Sequence, residues 1–229
     1  MYNDNTEQIT NINYSMDGES VITSSRDDQI IIYDCEKGTK QRVLQSKKYG
    51  VDLIHFTQNK ENAVHASTKE NDVIRLMSLV ENRYIHYFTG HNRRVVSISM
   101  NPCDDTFLSS SHDNSIRLWD VRSNHCQGFM KLAPGRPVAS FDPEGIIFAA
   151  GIGSESVSLY DLRSFDKGPF AKFKADNGDI EEVKWTGLKF SPDGRHILIS
   201  TNNSIIKLMD SRSGVVLQSL TGRDIYSGI

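Results

Sequence analysis

The sequence predicts an all-β fold, a β-propeller of about five four-stranded blades. The first observation is a short motif that recurs five times, as "QIIIYD", "VIRLMS", "SIRLWD", "SVSLYD" and "IIKLMD". The second is its spacing, because successive copies end 41 to 49 residues apart, and a period in the low forties is typical of propeller blades that end a strand with Trp-Asp. The third is the absence of sustained helical periodicity.

The interior of each copy agrees with this fold. In the third copy "VVSISM" alternates and places Val96, Ile98 and Met100 on one face of a strand. The segment "NPCDD" then turns the chain, and "TFLSSS" forms the returning strand. Proline at the second position of the later turns "DPEG" and "SPDG" presets φ, and glycine at the fourth suits the exit of a type I turn.

We expect one domain over residues 1–229, a single partial propeller. Each blade should contain an entering loop followed by four strands and their turns. The expected blade limits are 6–45, 46–89, 90–133, 134–175 and 176–222.

Composition restricts the function classes. A domain whose function is non-specific nucleic-acid binding is usually basic, and the net charge of −3 disfavours that class. We also expect no direct sequence-specific contact with nucleic acid. No run of 18 apolar residues and no basic, apolar leader is present, so we expect neither a membrane partner nor secretion. The chain has three cysteines, Cys35, Cys103 and Cys126, and their spacing is not that of metal ligands. An odd number favours reduced thiols, and we expect neither a metal nor a cofactor.

The third copy contains serines, a histidine and an aspartate, which are the components of a catalytic triad. No Gly-x-Ser-x-Gly elbow accompanies them, and we expect a structural tetrad and no catalytic residue. In this interpretation hydrogen bonds run from Trp119 through Ser109 or Ser111 to His91 and Asp113, and tie the blade together. The position of Asp113 corresponds to Asp27, Ser154 and Asn203 in the first, fourth and fifth copies.

Several stretches are closer to one family than to WD repeats in general. They include "SKKYGVDLI", "DDTFLSSSHDNSIRLWDVRSNHCQG", "FDPEGIIFAAG" and "WTGLKFSPDG", and above all "RSFDKGPF", which is not a generic repeat element. Nearly the whole chain resembles the WD repeat-containing protein 82 family, whose fungal counterpart belongs to the COMPASS complex.

The resemblance implies a nuclear, chromatin-associated and non-catalytic scaffold. Its expected partners are a SET-domain subunit and other subunits of the complex that methylates histone H3 at lysine-4. Further expected partners are the phosphorylated C-terminal repeats of RNA polymerase II and a nuclear targeting subunit of protein phosphatase 1. The family has about seven blades, so a short N-terminal segment and roughly two C-terminal blades are expected to be missing here.

Basic residues recur in loops that a propeller would place on one rim. We interpret them as a candidate site for a phosphorylated or acidic partner, while ordinary solvated charge remains the alternative. Glu181 and Glu182 take the corresponding place in the fifth copy, within the long acidic loop 174–187. The candidate rim residues are Arg26, Lys47, Lys48, Arg93, Arg94, His112 and Arg136.

A second function class is suggested by "WDVR". Trp119, Asp120 and Arg122 resemble the WDxR box through which substrate receptors of cullin-RING ubiquitin ligases meet their adaptor, and "YDLR" from Tyr160 to Arg163 is similar. Capture of the adaptor, lost on Arg122→Ala, would favour this alternative over the chromatin scaffold.

Overall fold

The computed structural model describes residues 4–152, 155–175 and 183–221. The chain divides into two compact units, residues 1–131 and 132–229. The first unit contains three four-stranded antiparallel sheets and the second contains two, and each sheet is a meander in which every strand pairs with its sequence neighbour.

The three sheets of the first unit are blades 1 to 3. Apolar residues are concentrated in their second and third strands, which are the most deeply buried, while the outermost strand of blade 1 is largely exposed. Blade 1 consists of β1 (Ile9–Tyr14), β2 (Ser20–Ser25), β3 (Gln29–Asp34) and β4 (Thr39–Gln45). Blade 2 consists of β5 (Asp52–Phe56), β6 (Asn62–Ala66), β7 (Ile74–Ser78) and β8 (Arg83–Phe88). Blade 3 consists of β9 (Val95–Met100), β10 (Thr106–Ser111), β11 (Ser115–Asp120) and β12 (Gly128–Lys131).

The two sheets of the second unit are blades 4 and 5. A 3₁₀ helix (Phe165–Lys167) in the third turn of blade 4 is the one helix among the described residues. Blade 4 consists of β13 (Val138–Phe141), β14 (Ile147–Ile152), β15 (Ser156–Asp161) and β16 (Ala171–Lys174). Blade 5 consists of β17 (Trp185–Phe190), β18 (His196–Thr201), β19 (Ile205–Asp210) and β20 (Val216–Thr221). The expected blade limits and the single domain remain predictions.

Apolar side chains pack between successive blades within each unit. Ile22 and Ile54 belong to the cluster between blades 1 and 2, and Trp119 belongs to the cluster between blades 2 and 3. In the second unit Trp185 packs in the cluster of blades 4 and 5, where a Cβ at Gly151 would lie 2.5 Å from the indole. Each blade therefore buries at least one face against a neighbour of its own unit, which fixes the loops at the ends of the strands.

A register shift at the first strand recurs in four of the five sheets. In blade 3 Ser110 pairs with Ser97 and Ser111 pairs with Val95, so the extra residue is Val96. The sequence placed Val96 on one face with Ile98 and Met100. The bulge instead puts Val95 into their cluster, because an extra residue interrupts strict alternation.

Candidate functional site

Four side chains of blade 3 form a continuous hydrogen-bonded tetrad. The indole Nε1 of Trp119 lies 2.8 Å from Ser109 Oγ, which lies 2.7 Å from His91 Nε2. On the other side of the imidazole, Nδ1 lies 2.8 Å from Asp113 Oδ2. The tetrad thereby joins the loop before β9, strands β10 and β11, and the turn between them.

The direction of each hydrogen bond follows from the donors available. The indole can only donate, so the Ser109 hydroxyl accepts from Trp119 and donates to His91, whose Nδ1–H then donates to the carboxylate. Burial lowers the pKa of His91, which favours the neutral imidazole that this arrangement requires. Burial opposes ionisation of Asp113, but hydrogen bonds from Ser115 and His91 hold the pKa of its carboxyl below the usual value.

Ser109 and Ser111 were both candidates for the tetrad, and the structure gives them different tasks. Ser109 bridges the indole and the imidazole. Ser111 Oγ donates to the carbonyl of Arg93 over 2.7 Å and accepts from the backbone N–H of Asp113 over 3.1 Å. Ser111 therefore fixes the turn, whereas Ser109 fixes the blade interior.

The order Asp113, His91, Ser109 matches that of a hydrolytic triad, but its surroundings are those of a packing site. Ser109 has no exposed surface, and its oxygen is already bonded to the indole of Trp119. A nucleophile needs a free lone pair and a path to substrate. The tetrad thus stabilises blade 3 by hydrogen bonds that connect strands β10 and β11 with the loop before β9.

The equivalent positions in other blades carry different contacts. Asp27 of blade 1 accepts hydrogen bonds from Thr6 and from the backbone N–H of Gln29, while Thr201 Oγ1 of blade 5 donates to Asn203. Ser154 lies outside the described residues. Only in blade 3, among the described blades, do all four tetrad side chains occur together.

Blade 2 replaces the tetrad with an arginine and aromatic cluster that the sequence reasoning missed. In blade 2 His65 pairs with Arg75, as Ser109 pairs with Arg117 in blade 3. Arg75 is only 2% exposed, and its guanidinium lies 3.8 Å from the ring centre of Tyr49 and donates to Ser67. An arginine within the apolar strand "IRLMS", preceded by "KKYG", was the available signal.

Six of the predicted basic residues lie in the first unit, on the end we call the upper rim. This rim comprises residues 5–8, 26–28, 46–52, 67–73, 89–94 and 112–114. It carries seven acidic and six basic residues, so carboxylates are interspersed among the predicted cations. All six candidates in this unit are exposed, namely Arg26, Lys47, Lys48, Arg93, Arg94 and His112.

Ion pairs connect the upper rim from blade to blade. Arg94 Nη2 lies 3.1 Å from Asp52 Oδ2, and Lys69 pairs with Asp28. Arg26, Lys47 and Arg93 form no ion pair with any residue of the described ranges. The positive charge of Arg94 is thus neutralised by Asp52, whereas Arg26, Lys47 and Arg93 could each pair with an anion of a partner.

Lys48 extends the aromatic cluster of blade 2 to the surface. Its Nζ lies 4.9 Å from the ring centre of Tyr49, and a hydrogen bond with Tyr49 raises the pKa of Lys48. The same ring contacts Arg75, so it lies against an exposed cation and a buried one.

Arg136 lies in the second unit, in the loop before β13. Glu181 and Glu182 lie outside the described residues, as does the rest of the segment 176–182 within the acidic loop 174–187.

The WDxR residues form a local ion pair. Arg122 Nη2 lies 2.8 Å from Asp120 Oδ2, and Arg122 Nε lies 3.0 Å from Asp120 Oδ1. This fork, with the backbone N–H of Arg122 bonded to the same carboxylate, lowers the pKa of Asp120. Arg163 follows Asp161 in the same way and donates its backbone N–H to that carboxylate.

The described residues provide neither a metal-binding cluster nor a helix that could span a membrane. No cluster of three or more His, Cys, Asp or Glu side chains has a geometry that would hold a metal ion. No helix in the described ranges has the length and apolar character needed to cross a membrane.

A family profile described as "WD domain, G-beta repeat" matches residues 1–34 and 82–120. Together with the five four-stranded sheets, this match confirms the predicted WD-repeat β-propeller fold class.

Individual relatives are similar over nearly the whole chain. WD repeat-containing protein 82 of Drosophila melanogaster is 56% identical over 229 residues, which cover all of this chain and 71% of that protein. Set1 complex component swd2 of Schizosaccharomyces pombe is 40% identical, with 90% of this chain and 58% of that protein covered. COMPASS component SWD2 of Saccharomyces cerevisiae is 32% identical, with 93% and 64% covered.

The chain thus spans between 58% and 71% of the length of these three relatives. The Drosophila protein is 56% identical to this chain, and more than two thirds of its length is matched. The chain belongs to the WD repeat-containing protein 82 family.

Proposed function

We propose that this chain is a non-catalytic scaffold subunit of a nuclear, chromatin-associated COMPASS-type complex that methylates histone H3 at lysine-4. The observation that carries the proposal is 56% identity over the full chain, together with two relatives that are named as components of the Set1 and COMPASS complexes. The blade 3 tetrad supports the non-catalytic part, since its serine is buried and bonded to Trp119. The proposed partners are the SET-domain subunit and other COMPASS-type subunits.

The finer part of the proposal concerns RNA polymerase II. We place the contact with its phosphorylated C-terminal repeats on the upper rim, where Arg93, Lys47 and Lys48 are exposed. Phosphate is bound by cations whose charge is not already compensated, and Arg93 satisfies this condition better than Arg94, which pairs with Asp52. A nuclear targeting subunit of protein phosphatase 1 is a further proposed partner, supported by the family resemblance alone.

The rim contact can be tested by titration. A synthetic peptide of two C-terminal repeats carrying phosphoserine should bind the full chain, and the unphosphorylated peptide should bind less. Arg93→Glu with Arg94→Glu should weaken binding at least about tenfold, because each phosphate would meet a carboxylate. Lys37→Glu with Arg83→Glu makes the same change in net charge among exposed residues elsewhere in the first unit, and serves as the matched control. Equal losses in both double variants would contradict the assignment to the upper rim.

The scaffold assignment needs a separate experiment. Affinity capture of this chain from nuclear extract should recover the SET-domain methyltransferase subunit. Recovery of a cullin adaptor would support the WDxR alternative. We do not propose that alternative, because the fork between Arg122 and Asp120 would have to open before the arginine could reach an adaptor. Recovery of chaperones alone would contradict transfer of the family function to this chain.

A further inference from the structure

A groove lies between blades 1 and 2 of the first unit, at the end opposite the upper rim. Its volume is about 450 Å³. The buried side chains of Ile32, Phe56 and Leu79 form its floor, and Val80 is 55% exposed at its edge. Arg42 Nη1 donates to the carbonyl of Leu79 over 2.5 Å and links the two blades beside the groove. An exposed branched side chain next to an apolar floor is suited to receive another apolar side chain.

The surroundings of the groove are strongly acidic. We call residues 15–19, 34–38, 57–61, 78–83, 101–105 and 120–127 the lower rim of the first unit. It holds nine acidic residues against four basic ones, whereas the whole chain has a net charge of only −3. The negative charge of the chain is therefore concentrated on this rim.

Every basic residue of the lower rim is already paired with a carboxylate of the same rim. Lys60 Nζ, for example, lies 2.9 Å from Asp17 Oδ2 and 2.8 Å from Glu19 Oε2. The other pairs are Lys37 with Asp34, Arg83 with Glu81 and Arg122 with Asp120. After these pairs the surplus charge is carboxylate, and no internal cation of the rim remains to compensate it.

Two of the surplus carboxylates flank the groove. Glu36 belongs to the third turn of blade 1, and Glu61 belongs to the first turn of blade 2. Both residues are exposed, and neither forms an ion pair with another residue in the part of the chain that the structure describes. The groove thus presents apolar surface between two carboxylates that form no ion pair with another described residue. Arg42 also lines the groove, and its guanidinium is turned to the carbonyl of Leu79.

We propose that this groove is a docking site for a linear peptide segment that carries a branched apolar residue between arginines or lysines. The apolar residue packs against Val80, Phe56 and Leu79, and the flanking cations face Glu36 and Glu61. The sign of the charge excludes nucleic acid, and the lower rim of a second copy would be repelled. This site is distinct from the upper rim, so the two can be occupied independently.

The probes are two fluorescein-labelled peptides of sequence RKLKR and RKSKR, titrated against the full chain by fluorescence anisotropy. We expect RKLKR to bind more tightly, because only leucine buries apolar surface in the groove. Glu36→Lys with Glu61→Lys should weaken binding of RKLKR at least about tenfold, since like charges then face each other. Val80→Ser should reduce the preference for RKLKR over RKSKR to less than about twofold.

The matched control is Glu7→Lys with Glu70→Lys, two exposed upper-rim residues whose reversal changes the net charge equally. Binding of RKLKR to this control should stay within about twofold of the original chain. Equal weakening by both double variants would overturn the proposal, because it would show attraction by net charge alone. Equal affinity for the two peptides would also overturn it. If the lower-rim double variant does not fold, Val80→Ser alone tests the proposal, since Val80 is exposed. An unchanged preference of this variant for RKLKR over RKSKR would overturn the proposal.

Discussion

The indole N–H of Trp119 and the hydroxyl of Ser109 meet over 2.8 Å in the interior of blade 3, where neither side chain is exposed. The same hydroxyl is 2.7 Å from His91 Nε2, so one oxygen satisfies two buried partners. A buried polar group that loses its hydrogen-bond partner still has the free-energy cost of its desolvation. Removal of the Ser109 oxygen would therefore leave two buried nitrogens with this cost.

Ser109→Ala should therefore destabilise the first unit by about 1–3 kcal/mol, because it leaves Trp119 Nε1 and His91 Nε2 unpaired. Urea unfolding followed by tryptophan fluorescence measures the change. Ser219→Ala on the exposed strand β20 is the control and should cost less than about 0.5 kcal/mol. Equal costs for the two variants would contradict a stabilising role for the tetrad.

Arg75→Lys should destabilise the first unit by about 1–2 kcal/mol, because an ammonium cannot stack on Tyr49 and at the same time reach Asn71 and Val73 as the planar guanidinium does. Thermal unfolding measures the loss. Arg83→Lys, at an exposed pair with Glu81, should leave the melting temperature nearly unchanged. A melting temperature for Arg75→Lys as high as that of the control would exclude the stacking argument.

The repeat spacing was sufficient to predict five blades, because each blade uses the same strand, turn and strand pattern with a period that the sequence displays directly. The tetrad was also predictable in composition, but not in detail. Ser109 and Ser111 are equally plausible partners in sequence. The structure distinguishes them, because Trp119 Nε1 and His91 Nε2 both bond to Ser109.

Contacts between blades were not predictable from local patterns. The pair of Arg94 with Asp52 joins residues 42 apart in sequence, and it changes which cations of the upper rim are uncompensated. The same applies to the groove, whose floor combines Ile32 of blade 1 with Phe56 of blade 2. Such features depend on how blades pack, and a single sequence contains no local signal for them.

His65 provides a prediction about pH. Burial, together with the nearby charge of Arg75, lowers the pKa of His65 to about 4 from an ordinary value of 6.5. The unfolded chain therefore binds a proton at a pH where the folded chain does not, so stability falls as the pH decreases from about 6.5 to about 4. At about 1.4 kcal/mol per pKa unit, His65 accounts for a loss of up to about 3 kcal/mol in the unfolding free energy over this pH range.

His65→Leu should remove this contribution and reduce the dependence of unfolding free energy on pH between 7.5 and about 4.5. His91 retains its own contribution, because burial lowers its pKa as well, so the slope should decrease without vanishing. Urea unfolding at a series of pH values measures the slope. His125→Leu, at an exposed position in the third turn of blade 3, is the control and should leave the slope unchanged. An unaltered slope in His65→Leu would contradict the assignment.

Two glycines with nearly the same positive φ allow steric contact to be distinguished from backbone strain. Gly50 and Gly18 have φ of 70° and 73°. A Cβ at Gly50 would lie 1.8 Å from Thr68 Oγ1, whereas nothing lies within 4 Å of a Cβ at Gly18. Alanine at either position pays about 1 kcal/mol for the left-handed backbone.

Gly50→Ala should therefore cost about 1–3 kcal/mol more than Gly18→Ala, because only at Gly50 must a neighbour move. Gly50→Ala should also disturb the upper rim and weaken its binding of the phosphoserine peptide. Gly50 and Thr68 lie where the loop that carries Lys47 and Lys48 contacts the turn between β6 and β7. Thermal unfolding measures the stability of both variants, and titration with the phosphoserine peptide measures the rim. If Gly50→Ala matches Gly18→Ala in both measurements, the close approach of these two loops does not shape the upper rim.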